Sequence, residues 1–315
     1  MGRPTEHRAA HLRADAAGTW TLGDLTVNRM GLGAMRLTGS GAFHDGTPSN
    51  RDRAVAVLRR AVHEFGVNHI DTAAFYFSSL RSANELINRA LAPYPDGLVI
   101  TTKVWPGRDP SGQWWWARPE QLRGQVEENI RQLGLDHLDV VNLRVPPSRR
   151  DGSIAEHFGA LARLREAGLI RHLGISNATA AQLAEARAIA PVVCVQNAYG
   201  LGAADTRDRE LLRFCGESGI AFVPFFAIVG KRREAGAGGS GTEDGPEGEA
   251  VRAVARAHGA TPAQVRLAWT LRQGPHVLAI PGTGDPDHLT ENVAAGSLRL
   301  TGDETTRLDP PASRN

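Results

Sequence analysis

Four polar residues that lie in or just after short apolar runs could together carry out acid–base chemistry. Asp71 and Tyr76 stand five residues apart in HIDTAAFY, Lys103 lies near the end of LVITTKV, and Arg144 near the end of DVVNLRV. A phenol donates protons poorly at neutral pH, but a neighbouring ammonium favours the phenolate and lowers the pKa of a phenol. A buried lysine needs a carboxylate to balance it, which Asp71 could supply. The set is typical of a general acid that protonates an oxygen as negative charge develops there, although a structural ion pair beside an unrelated tyrosine is the alternative.

The elements that must position these residues are short strands alternating with helices. A hairpin is expected from Thr19–Leu22 and Leu25–Asn28, followed by apolar, β-branched runs that are separated by amphipathic segments such as Pro119–Leu133 and Ser153–Ala167. The eight strand candidates are MGLGAMRL, HIDTA, LVITTKV, DVVNLRV, IRHLGISN, VVCVQN, AFVPFFA and VLAIPGT. No Gly-x-Gly-x-x-Gly follows a strand, which argues against a Rossmann domain. The pattern predicts an α/β fold, a (β/α)8 TIM barrel with an N-terminal β-hairpin, whose chemistry gathers where the strands end.

The chain of 315 residues is expected to form a single barrel domain. Residues 1–18 are predicted to be a flexible N-terminal leader, and residues 19–315 the barrel. The segment Gly230–Glu249 is Gly-rich and polar and follows the seventh strand candidate. That position predicts a mobile flap near the mouth of the barrel.

Composition and charge exclude several classes of protein. The net charge of +2 gives no strong field for nucleic acid or acidic membranes. The longest apolar run has 11 residues, against the roughly 18 that a membrane span needs. The first residues lack a hydrophobic signal core, so a cytoplasmic protein is expected. The two cysteines and eleven histidines match no disulfide or metal-ligand spacing. We therefore expect a small-molecule substrate, no metal, no nucleic acid and no membrane, while the oligomeric state is not readable.

Several short motifs occur in the order seen in aldo-keto reductases. They are DTAAFY, TTKV, GISN, VQNAYG, PFF before a glycine, and IPGT followed by HLTENVAA. The chain resembles this family from about Thr19 to Leu300. The resemblance implies an NADP-dependent oxidoreductase that reduces an aldehyde or ketone, or oxidises the alcohol, by hydride transfer from nicotinamide C4 of NADPH. It also implies that Tyr76 is the proton donor and that Lys103 and Asp71 tune it.

The same resemblance implies a cofactor site. Ser176, Asn177 and Gln196 are similar to residues that hydrogen-bond the nicotinamide carboxamide, which fixes the ring face that meets the substrate. Phe225 takes the place of an aromatic ring that stacks beneath nicotinamide, although it could also be a core phenylalanine. The other implied cofactor contacts are Ala34, Met35 and Asp71 beside the ring, Ala227, Ile228 and Gly230 at the pyrophosphate, Gly282, Thr283, Gly284 and His288 near the ribose 2′-phosphate, and Glu291 and Asn292 at the adenine.

The chain departs from the family pattern at both ends of this site. Gly282 stands where the family often has a lysine and His288 where it often has an arginine, so Thr283 and a helix N-terminus are left to hold the 2′-phosphate. Arg144 stands where the family usually has a catalytic histidine. A guanidinium supplies fixed donors and positive charge but does not relay a proton. Arg144 is therefore expected to bind the substrate carbonyl or a nearby anion, unless it only pairs with a carboxylate at the rim.

Two other functions and one further feature stay open at this point. The cofactor could be recycled by a redox epimerase or dehydratase. The chain could also be a non-catalytic NADP-binding regulatory subunit, like the β subunits of potassium channels, which also lack the histidine at this strand end. Trp114–Trp116, after the third strand candidate, could line an aromatic substrate pocket, cap the rim of the barrel or pack on a neighbouring molecule.

Overall fold

The computed structural model describes residues 12–39, 49–202, 206–228 and 246–309. In chain order its strands are β1 (Thr19–Leu22), β2 (Leu25–Asn28), β3 (Leu32–Gly33), β4 (His69–Asp71), β5 (Val99–Val104), β6 (Pro106–Arg108), β7 (Trp114–Trp116), β8 (Leu138–Arg144), β9 (Ile170–Ser176), β10 (Val192–Gln196) and β11 (Ala221–Phe222). Its α-helices are α1 (Arg51–Arg59), α2 (Ala83–Leu91), α3 (Leu122–Leu133), α4 (Ala155–Glu166), α5 (Ala180–Ile189), α6 (Thr206–Glu217), α7 (Pro246–His258), α8 (Pro262–Arg272), α9 (Pro286–Ala295) and α10 (Gly302–Leu308).

The central sheet is a closed barrel. Seven parallel strands lie in the order β3-β4-β5-β8-β9-β10-β11. The eighth strand candidate joins both edges through parallel bridges, from Val277 to Phe222 on one side and from Gly282 to Gly33 on the other. The strands are short and mostly buried, as expected for strands covered on both faces by side chains and helices. The predicted (β/α)8 barrel is confirmed.

The N-terminal hairpin closes the bottom of this barrel. β1 and β2 pair antiparallel around a turn in which Gly23 has a φ of 67°, a conformation that favours glycine. Leu22 and Val27 pack against Val140 inside the barrel. The carboxylate of Asp24, next in the turn, accepts hydrogen bonds of 2.6 Å from the side chains of Arg171 and His172 near the start of β9. The predicted N-terminal hairpin is confirmed.

The helices form where the amphipathic pattern predicted them, with boundaries shifted by a few residues. Pro119–Gln121 is a 3-10 turn that leads into α3, and the helix ends at Gly134, whose φ is 65°. α4 begins at Ala155, two residues after the predicted start at Ser153. Among the described residues, no helix combines the length and the apolar character that a membrane crossing requires.

The predicted leader is wrong for residues 12–18. Ala14–Ala17 form a 3-10 helix, and Ala14 and Ala17 are buried in the core. The Ala14 N–H donates to the Phe65 carbonyl at 2.8 Å, and the Arg299 guanidinium donates to the Ala16 carbonyl at 2.8 Å. The small alanine side chains let the backbone come close enough to the core for these bonds. The polar composition of residues 1–18 led the sequence analysis to overlook these alanines. Residues 1–11 lie outside the described residues.

The predicted flap also ends earlier than expected. Pro246–Glu249 form the first turn of α7, where a leading proline and acidic residues favour helix initiation. The Glu247 carboxylate accepts a hydrogen bond of 2.8 Å from Arg266 of α8. The rest of the predicted flap, residues 230–245, lies outside the described residues, so its mobility stays a prediction.

Candidate active site

A buried ion pair lies at the carboxyl ends of two adjacent strands. The Lys103 ammonium donates to the Asp71 carboxylate at 2.6 Å and to the Thr72 carbonyl at 3.0 Å. Only 2% of the Lys103 side chain and 5% of the Asp71 side chain are exposed. The Gln196 amide donates to the second Asp71 oxygen at 2.7 Å. Charges buried so deeply are tolerated when their hydrogen bonds are filled, as they are here.

Tyr76 stands beside this pair. The Lys103 nitrogen lies 4.8 Å from the centroid of the tyrosine ring, and the tyrosine is 8% exposed. The loop that carries it is fixed by backbone bonds of 2.9 Å from the Tyr76 N–H to Ala73 and from the Ala83 N–H to Tyr76. The structure thus brings together three of the four residues that the sequence grouped. A positive charge so close to a phenol stabilises the anion left when the phenol gives up its proton.

A buried polar network, which sequence analysis missed, holds the outer side of the same strand ends. The Thr72 hydroxyl donates to the Asn84 side chain of α2 at 2.8 Å, and the Thr102 hydroxyl donates to the Asn129 side chain of α3 at 2.6 Å. Asn84 in turn donates to Asn129 at 3.0 Å, and all four side chains are fully buried. Since Thr72 and Thr102 adjoin Asp71 and Lys103, the network fixes their backbone. The available signal was a threonine next to each charged residue, Thr72 after Asp71 and Thr102 before Lys103.

Arg144 points across the mouth of the barrel toward the predicted nicotinamide residues. β8 and β9 pair with Arg144 opposite Ser176, and the guanidinium donates to the Ser176 hydroxyl at 3.4 Å. The guanidinium carbon lies 5.0 Å from the centroid of the Phe225 ring. Arg144 therefore covers one face of Phe225, and an aromatic ring stacked on Phe225 needs the opposite face.

The predicted carboxamide residues fit a nicotinamide. The Gln196 side-chain oxygen is buried and has no hydrogen-bond partner among the described residues, so it can accept from an amide NH2. Ser176 is fully buried at the end of β9. Asn177 has a φ of 57°, and its side chain donates to the Val145 carbonyl at 3.0 Å. This left-handed residue turns the chain at the rim, a conformation that asparagine tolerates better than most residues.

The other predicted cofactor residues that the structure describes lie along the same rim. Ala34 and Met35 begin a 3-10 helix after β3, and the bridge between Gly33 and Gly282 brings that helix next to Gly282–Gly284. A Cβ on Gly282 would lie 3.1 Å from the Gly33 carbonyl oxygen, so the approach is close. Ala227 is buried and Ile228 is half-buried, while on α9 Glu291 is half-buried and Asn292 is buried. Gly230 lies outside the described residues.

The start of α9, predicted to hold a 2′-phosphate, is engaged by a carboxylate of the chain itself. Asp285 caps the helix and accepts from the backbone N–H groups of Asp287 at 2.8 Å and His288 at 3.3 Å. The Thr283 hydroxyl accepts from the Asp285 N–H at 2.9 Å and donates to the Asp285 carbonyl at 3.3 Å. Sequence analysis missed this cap, although an aspartate directly before Pro286 is a recognisable helix start.

A cavity of about 830 Å³ lies beside this cluster. Its walls come from the β4–α2 connection, the hairpin of β6 and β7 and helix α3, and they include Lys103, Phe75 and Trp115. Trp115 packs over Gly107, where an added Cβ would lie 2.3 Å from the indole. Trp114 instead contacts the Phe75 ring at 5.5 Å. Trp114 thus packs near the rim and Trp115 lines the cavity, which Lys103 of the ion pair also borders.

Two titratable side chains in the barrel interior are held neutral by burial. Burial lowers the pKa of His69 to about 4 and raises the pKa of Cys194 to about 12, so both side chains are neutral near pH 7. In the part of the chain that the structure describes, no group of three or more histidine, cysteine or acidic residues could hold a metal ion.

The chain is similar in sequence to known oxidoreductases. Pyridoxine 4-dehydrogenase of Escherichia coli is 42% identical over 299 residues, covering 93% of this chain and 98% of that protein. An uncharacterized oxidoreductase of Schizosaccharomyces pombe is 35% identical over 300 residues, covering 94% of this chain and 90% of its own.

Solved structures show the same fold. A thermostable aldo-keto reductase in complex with the inhibitor epalrestat superposes with a TM-score of 0.73 at 30% identity, over 92% of this chain and 98% of its own. An aldo/keto reductase of Klebsiella pneumoniae in complex with NADP and acetate gives 0.72 at 27% identity, over 94% of this chain and 97% of its own. The sequence model of the Aldo/keto reductase family matches residues 29–310, and the chain therefore belongs to that family.

Proposed function

We propose that this protein is an NADP(H)-dependent oxidoreductase that interconverts a small aldehyde or ketone and its alcohol, with Tyr76 as the proton donor. One observation carries the proposal. The Lys103 ammonium is buried, held 2.6 Å from the Asp71 carboxylate and placed 4.8 Å from the centre of the Tyr76 ring. Preorganised positive charge beside a phenol has its largest effect when the phenol becomes an anion, which is when it has protonated a substrate oxygen.

The residues of the rim support binding of the cofactor. Gln196 and Ser176 offer buried polar atoms for the carboxamide, and Phe225 offers one ring face for stacking. The Klebsiella pneumoniae relatives with NADP or NADPH bound support NADP(H) as the cofactor. When bound, its nicotinamide supplies a hydride to the carbonyl carbon. The protein's part is to fix the ring face and to keep the substrate oxygen at Tyr76.

The chain's own residues then have distinct tasks in reduction. The Tyr76 hydroxyl gives its proton to the substrate oxygen, and Lys103 stabilises the phenolate. Asp71 holds the lysine, and the Gln196 amide holds Asp71 from the other side. Arg144 orients the carbonyl or a neighbouring anionic group, because a guanidinium presents fixed hydrogen-bond donors and does not act as a general acid. In alcohol oxidation the phenolate takes the proton back.

The Escherichia coli relative supports the choice of the first substrates. It is a pyridoxine 4-dehydrogenase and is 42% identical to this chain. Pyridoxine and its 4-aldehyde are therefore the first pair to test, followed by other aromatic and aliphatic carbonyl compounds. The rings of Phe75 and Trp114 near Tyr76 are compatible with an aromatic substrate.

The test is Tyr76→Phe, which removes the phenolic proton and keeps the ring. We expect kcat to fall by about two to four orders of magnitude, the usual contribution of general acid catalysis, while the Kd of NADPH stays nearly unchanged. Cofactor oxidation is followed by absorbance, and binding by fluorescence. A variant that keeps most of its activity would show that another group is the acid.

The same assay separates the two other functions. Turnover of substrate without net consumption of NADPH selects a redox epimerase or dehydratase. Tight cofactor binding with no turnover of any carbonyl or alcohol in the panel selects a regulatory subunit. The Lys103–Asp71 pair beside Tyr76 supports the oxidoreductase without excluding a binding subunit, because such a subunit can keep the same groups, and the assay decides between them.

A further inference from the structure

The capping residue of α9 combines two contacts that bear on the cofactor. One oxygen of Asp285 accepts from the N–H groups of Asp287 and His288 at 2.8 and 3.3 Å. The other lies 2.5 Å from the Arg53 guanidinium of α1. Free N–H groups at a helix start attract anions, and an arginine is the usual partner of a phosphate. In this chain both are already engaged by a carboxylate.

No lysine or arginine from the segment itself compensates for that carboxylate. Residues 282–288 read Gly-Thr-Gly-Asp-Pro-Asp-His, with two acidic residues and no lysine or arginine. Two arginines that reach the start of α9 come from α1 and the turn directly after it, since Arg53 of α1 pairs with Asp285 and Arg60 donates to the Pro286 carbonyl at 3.3 Å. Backbone N–H groups, with the Asp287 N–H first, hold the pKa of Asp285 below its usual value, so the side chain is charged at neutral pH.

We propose that Asp285 is a cofactor-selectivity residue that limits the preference for NADP(H) over NAD(H). Its carboxylate occupies the helix start and the Arg53 side chain that a ribose 2′-phosphate would use, and like charges repel. The 2′-hydroxyl of NAD(H) is neutral and can donate a hydrogen bond to a carboxylate, so the same residue favours it. This inference rests on the proposed function and on the family resemblance, which implies that the 2′-phosphate of the cofactor lies at the start of α9.

The experiment compares the Kd values of NADP⁺ and NAD⁺ in the wild-type chain and in Asp285→Asn. Asparagine is as good a helix cap as aspartate, so the helix start is kept and only the charge is lost. We expect the ratio of Kd for NAD⁺ to Kd for NADP⁺ to rise by about tenfold or more, which is about 1.4 kcal/mol. Asp303→Asn, which removes an exposed charge in the first turn of α10, is the matched control and should leave the ratio unchanged.

A second substitution tests the role assigned to the arginine. Arg53→Ala placed in the Asp285→Asn background should abolish most of the gain for NADP⁺ and leave the affinity for NAD⁺ unchanged. A ratio that stays the same in Asp285→Asn, or a parallel change for both cofactors, would overturn the inference and reduce Asp285 to a helix cap. A wild-type chain that binds neither cofactor would refute the proposed function, and this inference with it, before any substitution is made.

Discussion

The substitution Lys103→Met tests the central part of the proposed chemistry. Methionine keeps the apolar stem and removes the ammonium, which stands 4.8 Å from the centre of the Tyr76 ring. At an effective dielectric constant of about 20, a charge about 5 Å from a phenolate stabilises it by about 3 kcal/mol. Loss of that stabilisation in the transition state predicts a fall in kcat of about two orders of magnitude.

The same substitution should destabilise the protein for a separate reason. The Asp71 side chain is 5% exposed. Without the lysine, its buried carboxylate retains the Gln196 amide as a side-chain donor among the described residues. Breaking a buried ion pair by removing one partner typically costs about 3–5 kcal/mol. The pair Lys103→Met and Asp71→Asn removes both charges and leaves an oxygen that can still accept from Gln196. This double variant should regain most of the stability and none of the activity.

Two measurements on the same samples decide the outcome. Urea unfolding gives the free energy of unfolding, and cofactor oxidation with one fixed aldehyde gives kcat. If the double variant recovers activity together with stability, Lys103 acts only as a structural partner of Asp71 and the charge beside Tyr76 has no catalytic role. A single variant with kcat within about threefold of the wild-type value would refute the reasoning in the same way.

Two further predictions concern Arg144 and His69. Arg144→Ala should raise KM and lower kcat, with a loss of about ten- to hundredfold in kcat/KM, since a charge-assisted bond contributes about 1.5–3 kcal/mol. A lower Tm with kcat/KM within about twofold would instead show a structural role at the rim. Burial lowers the pKa of His69 from 6.5 to about 4, so the unfolded chain binds the proton more tightly and stability falls as pH drops from about 6.5 toward 4. Between pH 7 and 5 the wild type should therefore lose about 2 kcal/mol of unfolding free energy that His69→Gln retains, and equal losses in urea titrations of both would contradict this.

The barrel and the cluster of Asp71, Tyr76 and Lys103 were predictable from the sequence because each depends on local patterns. Apolar β-branched runs alternate with amphipathic helices, and parallel strands in a barrel bring their carboxyl ends to one mouth. Asp71 and Lys103, near the ends of adjacent strands, had to approach each other, and Tyr76 follows too closely along the chain to lie far away. The structure places the lysine and the carboxylate 2.6 Å apart.

The contacts that the sequence analysis missed depend on how each helix is rotated about its own axis as it packs on the barrel. The bond between Thr102 and Asn129 requires α3 to present Asn129 to β5, and the ion pair between Arg53 and Asp285 joins residues 232 positions apart. The hydrophobic periodicity of a helix shows which face is buried, but it does not determine which polar side chains on that face meet. The burial of Ala14 was missed for a related reason. It depends on the surface of the folded barrel against which the segment packs, and the sequence around Ala14 does not indicate that surface.

The two departures from the family pattern concern different kinds of charge. At the mouth, a histidine would gain and lose its proton between about pH 5 and 8, whereas a guanidinium supplies fixed donors and positive charge. Under the proposed function, the Arg144 guanidinium adds a positively charged donor to the mouth of the barrel, where Lys103 and Asp71 already pair with each other. Such a site attracts a substrate oxygen that is becoming negative, and a carboxylate or phosphate near the carbonyl still more strongly. The replacement therefore exchanges a side chain that can relay a proton for one that binds and orients, which leaves Tyr76 as the proton donor of the proposed reaction.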